Sequence, residues 1–386
     1  MRKGLRVLFV AAGVSGVLGL RAGPAPAATP DEAVAEAQQR LAANPRDAAA
    51  LRALGDALEV KGQPGEAKAA YRKALEIEPN QVEARAGLAR VLAQAGEDAA
   101  AMAEQQKVTE LQPKDPEAQH FLGVLALRAN QPDRAMAAWK SALQIQPDHV
   151  AVLNNLGMLL LERGRTGEAI PYLERAVAAA PGLPTARANL GFAYLRAGRG
   201  AEAIKEYRAL VDLLPGDPEA ARNLALAYLE TKQPQEAIPL LRQVVRMDPS
   251  PERVRELGVA LLEARRADEA ELVLKVAVEG RPDWGAAYVD LGRAQVARGD
   301  LEAALVSLRK GIELDPKDGE GHVVLARLQA RRKQFDAAWR HAREAERLGH
   351  PGARALLAEL ARGSKEPARE ERKAAPAKKA DPARPQ

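Results

Sequence analysis

Few side chains in this sequence have the type and spacing that catalysis or metal binding requires. The chain has no cysteine, so disulfides and thiolate chemistry are excluded. No histidine stands at a metal-ligand spacing from another, and no H-E-x-x-H, GxxxxGK(S/T) or dinucleotide-binding glycine motif occurs. The sequence therefore predicts no catalytic residue, no cofactor site and no metal site, and the protein is expected not to be an enzyme. The five histidines are His120, His149, His322, His341 and His350.

A second set of polar side chains recurs along the chain at a nearly constant interval, and an apolar residue follows most of them three positions later. Residues three apart share one face of a helix, so the two sets would lie side by side. Amide side chains can pair with the backbone of a bound peptide, because they offer both a donor and an acceptor. The two sets comprise Asn155, Asn189, Asn223, Met158, Phe192, Leu226, Glu256 and Asp290.

The apolar row extends to Val124 and Val259, and a leucine follows five of its members three positions later. Two alternatives are open for these leucines. They could be exposed beside the polar row, or they could pack between neighbouring helices and never reach solvent. The leucines are Leu127, Leu161, Leu195, Leu229 and Leu262.

Short helices must position these residues, and the prolines give the period of the helices. All intervals between the recurring prolines are equal, except that the interval from Pro249 to Pro282 is shorter by a single position. Between two prolines an apolar stripe at helical spacing ends at a glycine such as Gly164, and a second stripe follows. Two further prolines, Pro171 and Pro239, are expected in the first turns of second helices. The recurring prolines are Pro45, Pro79, Pro113, Pro147, Pro181, Pro215, Pro249, Pro282 and Pro316.

This unit resembles the tetratricopeptide repeat, in which a Leu-Gly pair marks the first helix, an alanine and a large residue mark the second, and a proline closes the repeat. Residues 150–183 show the pattern in Leu156, Gly157, Ala169, Leu173 and Pro181. The resemblance implies an all-α fold: a right-handed α-solenoid of nine helix–turn–helix repeats over residues 48–352. Its first helices would line a concave groove that binds a protein or peptide segment. The resemblance therefore implies a peptide-binding groove formed by the two sets of residues named above, Asn155, Asn189, Asn223, Met158, Phe192, Leu226, Glu256 and Asp290. Residues 30–47 are expected to form an N-terminal capping half-repeat, and residues 353–363 a C-terminal capping helix.

Both ends of the sequence differ in composition from the repeats. Residues 1–27 combine a basic start, an apolar run and a small-residue Ala-Pro-Ala site, which is typical of a secretory signal peptide with Ala28 as the mature start. An uncleaved inner-membrane anchor is the alternative, and either one predicts export, most simply to the periplasm. Residues 364–386 are rich in Ala, Pro, Lys and Arg and are expected to be disordered. They could form a weak contact with an anionic surface or could act as a solubilising tail.

The net charge of +5 comes from these two ends. The first 27 residues carry four basic and no acidic side chains, and the last 23 carry seven basic and four acidic ones. The remaining body is therefore close to −2 and does not form the basic surface that nucleic-acid binding needs. We expect no nucleic-acid partner, and the sequence does not define an oligomeric state.

These features predict a non-catalytic, exported scaffold that binds a protein or peptide in cell-envelope assembly. Two alternatives remain open at this level. The protein could be an accessory of exopolysaccharide synthesis or export, or it could be a non-autonomous subunit of an enzyme complex.

Overall fold

The computed structural model describes residues 29–363, and these residues form twenty α-helices with no β-strand among them. The predicted signal peptide and the predicted basic tail lie outside the described residues. The helices are α1 Pro30–Ala43, α2 Ala48–Val60, α3 Pro64–Ile77, α4 Val82–Gln94, α5 Asp98–Leu111, α6 Pro116–Arg128, α7 Pro132–Ile145, α8 Val150–Glu162, α9 Thr166–Ala179, α10 Pro184–Arg196, α11 Gly200–Leu213, α12 Pro218–Glu230, α13 Pro234–Met247, α14 Pro251–Glu263, α15 Ala267–Gly280, α16 Gly285–Arg298, α17 Leu301–Leu314, α18 Gly319–Arg331, α19 Phe335–Arg347 and α20 Ala353–Gly363.

The chain divides into two compact units, Met1–Ala220 and Ala221–Gln386, which we call the N-terminal unit and the C-terminal unit. In the N-terminal unit each even-numbered helix from α2 to α10 packs against the helix that follows it. In the C-terminal unit α14, α16 and α18 pack in the same way against α15, α17 and α19. Sequence-adjacent helices therefore form hairpins, as in a tetratricopeptide solenoid, and the predicted all-α fold class is confirmed.

A residue in the left-handed backbone conformation joins the two helices of a pair. Gly164 has a φ of +73° between α8 and α9, as its position in the sequence predicts. The equivalent position between α14 and α15 is Arg265, with a φ of +59°. An L-residue with a side chain is disfavoured there, so the turn geometry comes from the packed helices as well as from local preference.

The aromatic residue of a second helix packs closely against glycines of first helices. The Tyr71 ring is fully buried and lies between Gly55 of α2 and Gly87 of α4. A Cβ atom at Gly87 would come within 2.4 Å of the ring, and one at Gly55 within 2.6 Å. Glycine is therefore needed where the large side chain of a second helix presses against a first helix. Trp139 makes the same approach to Gly123.

The prediction that Pro171 and Pro239 lie in the first turns of second helices is wrong. Pro171 lies inside α9, which begins at Thr166, and Pro239 lies inside α13, which begins at Pro234. Both are the sixth residue of their helix, in the second turn instead of the first. At this depth proline removes an intrahelical hydrogen bond, and the helices continue past it because their apolar faces are buried, including Leu173 and Leu241.

The helices at the two ends of the described chain pack on their neighbours. α1 begins with a capping box in which the Thr29 hydroxyl accepts from Glu32 and the Glu32 carboxylate accepts from Thr29. α20 buries Leu356 and Leu360 in a cluster with Trp339 of α19. Their assignment as caps stays a prediction. Within residues 29–363, no helix is both long enough and apolar enough to span a membrane.

Candidate functional site

The predicted peptide-binding residues lie on the first helices of successive repeats. We count places from the first residue of each repeat, so that Val150, where α8 begins, is the first place of its repeat. The polar row then occupies the sixth place, the apolar row the ninth and the leucine row the twelfth.

In the N-terminal unit, both sixth-place asparagines contact the fifth-place residue of the preceding repeat. The Asn189 Nδ2 atom donates to Asn154 Oδ1 at 2.8 Å. The Asn155 Nδ2 atom lies 3.2 Å from the Nε2 atom of His120. Asn155 and Asn189 are both partly buried. Their amides therefore connect neighbouring repeats, a role that sequence reasoning did not find.

The C-terminal unit repeats this relation with charged groups. Arg222, at a fifth place, donates twice to the Glu256 carboxylate, at 2.8 and 2.6 Å. Arg255 lies 2.6 Å from the Asp290 carboxylate, which Arg293 also contacts at 3.0 Å. Such fork-to-carboxylate pairs are strong when little exposed, and Asp290 is only 3% exposed.

The sequence does carry one signal of the contact between fifth-place and sixth-place residues, namely the chemical types of the partners. Each fifth-place residue precedes its sixth-place partner by 34 or 35 positions. The pairs are imidazole with amide, amide with amide, and twice cation with carboxylate: His120–Asn155, Asn154–Asn189, Arg222–Glu256 and Arg255–Asp290. The periodic pattern alone did not reveal it, because pairing across a repeat boundary depends on how far each helix is offset from the next. The assignment of the sixth-place residues to a binding surface stays a prediction.

The ninth-place side chains are partly exposed in both units. Met158 on α8 and Phe192 on α10 are neither fully buried nor fully exposed, and the same holds for Leu226 on α12 and Val259 on α14. The Arg196 guanidinium lies 5.9 Å from the centre of the Phe192 ring. Apolar surface on these helices is therefore open to contact beside the polar row. Asn223, the remaining predicted residue, is also partly buried.

Some twelfth-place leucines are buried and others are exposed, so both of the predicted alternatives occur. Leu161 is 2% exposed and packs between helices, whereas Leu127 is 38% exposed. The other three, Leu195, Leu229 and Leu262, are partly buried. The row therefore contributes to packing at some repeats and to surface at others.

Tertiary structure also brings histidines together that are far apart in sequence. His120 on α6 and His149, just before α8, place their ring centres 5.1 Å apart, and both are nearly buried. The Glu117 carboxylate lies 3.1 Å from His149 Nε2 and 3.7 Å from His120 Nδ1. Burial lowers the pKa of His120, the nearby His149 lowers it further, and Glu117 opposes both. Sequence reasoning missed this cluster because a whole helix, α7, separates the two histidines along the chain.

A second histidine pair lies in the C-terminal unit. The Nδ1 atoms of His322 and His341 are 3.0 Å apart, and His322 Nε2 lies 3.3 Å from the Pro316 carbonyl oxygen. A carbonyl only accepts, so His322 donates from Nε2 and accepts at Nδ1 from His341. Burial, with His322 and two arginines nearby, lowers the pKa of His341 to about 4.

The solved structures that are similar to this chain include the following three. A tetratricopeptide repeat protein from Parabacteroides merdae is 17% identical with a TM-score of 0.54, over 64% of this chain and 98% of that one. The Pseudomonas aeruginosa protein pilF is 21% identical with a TM-score of 0.45, over 53% and 95%. YrrB, described as a TPR protein with an unusual peptide-binding site, is 20% identical with a TM-score of 0.42, over 48% and 96%. The first of these supports the fold, and no curated protein matches the sequence.

Two sequence models described as tetratricopeptide repeat match this chain. One matches residues 60–125, 160–227, 197–260, 228–296 and 261–328. The other matches residues 29–81 and 122–184. Together they cover more than half of the sequence and most of the helical pairs described above. The chain belongs to the tetratricopeptide repeat family.

Proposed function

We propose that this protein is an exported scaffold whose repeats bind a protein or peptide partner during assembly of the cell envelope. Tetratricopeptide repeats are scaffolds of protein–protein interaction, which supports the binding role. The export component rests on the signal-like composition of residues 1–27. The observation that carries the proposal is the row of partly exposed apolar side chains at the ninth place.

In the N-terminal unit this row fits one apolar segment of a partner. Met158 and Phe192 occupy equivalent places on first helices that contact each other, α8 and α10. An amphipathic helix or an extended peptide recognises such a row by placing its own apolar side chains against it. The amides of Asn155 and Asn189 lie one turn earlier on the same helices, where they can add hydrogen bonds to the partner's backbone.

In the C-terminal unit the ninth-place apolar row lies beside an ion pair. Leu226 and Val259 supply the apolar part, and the Arg222–Glu256 pair lies one turn earlier. Glu256 already accepts from Arg222, so its contribution to a partner would be weaker than that of a free carboxylate. We therefore assign binding in this unit mainly to the leucine and valine side chains.

The test replaces ninth-place residues and measures partner capture. The processed protein would be crosslinked in cells and purified by affinity as wild type, as Phe192→Glu with Asn189→Ala, and as Leu226→Glu. We expect the partner to be lost from one or both variants, because a buried carboxylate in the interface is costly. Leu272→Glu is the matched control, since Leu272 on the second helix α15 is 66% exposed and its substitution should leave capture unchanged.

A partner retained by both ninth-place variants would contradict the proposed surface. The interface would then lie on the second helices, the end helices or a terminal segment. If the captured protein were a component of polysaccharide export or an enzyme, the corresponding alternative role would replace cell-envelope assembly. Thermal unfolding of each variant shows whether a loss of capture reflects a loss of fold.

A further inference from the structure

The cluster of Glu117, His120 and His149 has the composition of a metal-binding site. Each side chain offers one ligand atom, and the three atoms lie within 4.8 Å of one another. Two imidazoles and a carboxylate are a common donor set for zinc. The cluster belongs entirely to the N-terminal unit and plays no part in the ninth-place surface.

One atom in the cluster lacks a partner that the described residues could supply. His149 Nε2 is buried and makes no hydrogen bond. It faces a Glu117 oxygen at 3.1 Å, but the contact does not have hydrogen-bond geometry. A buried ring nitrogen without a partner is unfavourable. A cation held between the two groups would satisfy this nitrogen and the carboxylate together.

We propose that Glu117, His120 and His149 bind a divalent transition-metal ion of the zinc type. Tetrahedral zinc with bonds near 2.0–2.1 Å separates its ligand atoms by about 3.3 Å. His149 Nε2 lies 3.1 Å from Glu117 Oε1, and His120 Nδ1 lies 3.7 Å from the other oxygen, Oε2. The carboxylate is therefore near both imidazoles, and one of its oxygens would act as the ligand. The imidazole nitrogens lie within 4.8 Å of each other, so binding would require them to approach by no more than about 1.5 Å.

The exposure of the three ligands fits a site with an open position. His120 and His149 are 6% and 7% exposed, whereas the Glu117 side chain is 61% exposed. The imidazoles would hold the ion from the protein side, and the exposed carboxylate would bind it from the solvent side. The fourth position would face water and could accept a ligand from outside the chain.

Asn155 supplies the outer contact that such a site needs. If His120 binds the ion through Nδ1, its Nε2 atom carries a proton and must donate it. Asn155 already lies 3.2 Å from Nε2, and turning its amide presents the oxygen as the acceptor. Because Asn155 belongs to the following repeat, metal binding would stabilise the contact between the two repeats.

Zinc titration of the purified chain, produced without a polyhistidine tag, tests the proposal. Calorimetry with zinc chloride should give one ion per chain at this site. Glu117→Gln should weaken binding at least about tenfold, since removing a supporting group alone costs that much at known sites. The exposure of Glu117 makes this variant the least disruptive to folding. His149→Gln should weaken binding further, and Asn155→Asp should keep or raise the affinity.

The matched control is His341→Gln, which changes the other histidine pair. It should keep the wild-type stoichiometry and affinity at the first site. The proposal is overturned if Glu117→Gln and His149→Gln bind zinc as wild type does, or if wild type shows no saturable binding. Circular dichroism in the presence of a chelator confirms that each variant has its helices. The measurement needs no partner protein, so its outcome is independent of the proposed scaffold function.

Discussion

At the scale of single residues, the environment of His341 makes its protonation differ between the folded and unfolded chain. His341 donates to His322, and its ring lies near the positive Arg340 and Arg309, with Glu344 acting in the opposite direction. A charged imidazole would be poorly solvated at this position and would lie beside two other cations. The folded protein therefore holds His341 neutral to a lower pH than the unfolded chain does.

This difference predicts a loss of stability in acid. The unfolded chain binds a proton at His341 near pH 6.5 and the folded protein near pH 4, so stability falls as the pH drops between these values. The full shift corresponds to about 3 kcal/mol, and solvent screening of the partly exposed ring reduces it to about 1–2 kcal/mol. Denaturant unfolding at about pH 7.5 and about pH 4.5 should show that His341→Gln loses less stability than wild type by this amount. An equal loss in both proteins would contradict the assignment.

At the scale of helices, the close approach of large and small residues sets the packing of each repeat. Tyr71 on α3 fills the space beside Gly55 and Gly87, and its hydroxyl lies 2.7 Å from Asp56 and 3.0 Å from Glu59. Burial and these carboxylates raise the pKa of Tyr71. The hydroxyl can donate to one carboxylate at a time, and Arg90 donates to Glu59 as well.

Adding a methyl group where Gly87 contacts the Tyr71 ring should destabilise the protein. Gly87→Ala would place a methyl group 2.4 Å from the ring of Tyr71, which is fully buried, so the ring or the helix would have to shift. We expect a loss of about 1–3 kcal/mol in the free energy of unfolding. Gly65→Ala is the matched control, since no atom lies within 4 Å of its added methyl group in α3. It should be neutral or stabilise by up to about 1 kcal/mol.

The measurement for this pair is equilibrium unfolding in denaturant, followed by helix circular dichroism. If Gly87→Ala were as stable as wild type, the ring would have to tilt without loss of contacts. The explanation of Gly87 as a requirement for packing against the Tyr71 ring would then be wrong.

At the scale of the whole molecule, a repeat architecture depends on contacts between neighbours. The described residues show this directly, because fifth-place side chains in both units bind sixth-place side chains of the next repeat. The histidine cluster lies within one repeat, but His120 contacts Asn155 of the next repeat, so the metal binding proposed above would be coupled to the stacking of the two repeats. The family assignment and the packing of helix pairs both support an array of repeats in which each repeat contacts its neighbours.

Export is the prediction that concerns the molecule as a whole in its cell. We expect the mature protein to begin at Ala28 and to be accessible outside the cytoplasm, because residues 1–27 have the pattern of a secretory signal. Mass spectrometry of the purified protein and fractionation of cells measure both. The variant Val10→Arg, which interrupts the apolar run, should leave the chain unprocessed and is the control. A full-length wild-type chain in the cytosol would refute export.

The sequence by itself determined the helical repeat, its period and the first helix of each pair. These follow from local rules: proline and glycine end helices, and apolar residues recur at helical spacing. The helices α8, α10, α12, α14 and α16 begin at the residues from which their repeats were counted. The sequence also identified which side chains share a face, which requires only the helical period.

Tertiary structure alone decided what those side chains contact. It joined His120 to His149 and Glu117, which no spacing rule connects, and it buried Leu161 while leaving Leu127 exposed. It also placed Pro171 inside α9, where buried contacts on the rest of the helix outweigh the loss of one hydrogen bond. The physical reason is the same in each case. Local sequence fixes the direction of a side chain from its own helix, whereas the offset and distance of the neighbouring helix come from packing over the whole interface.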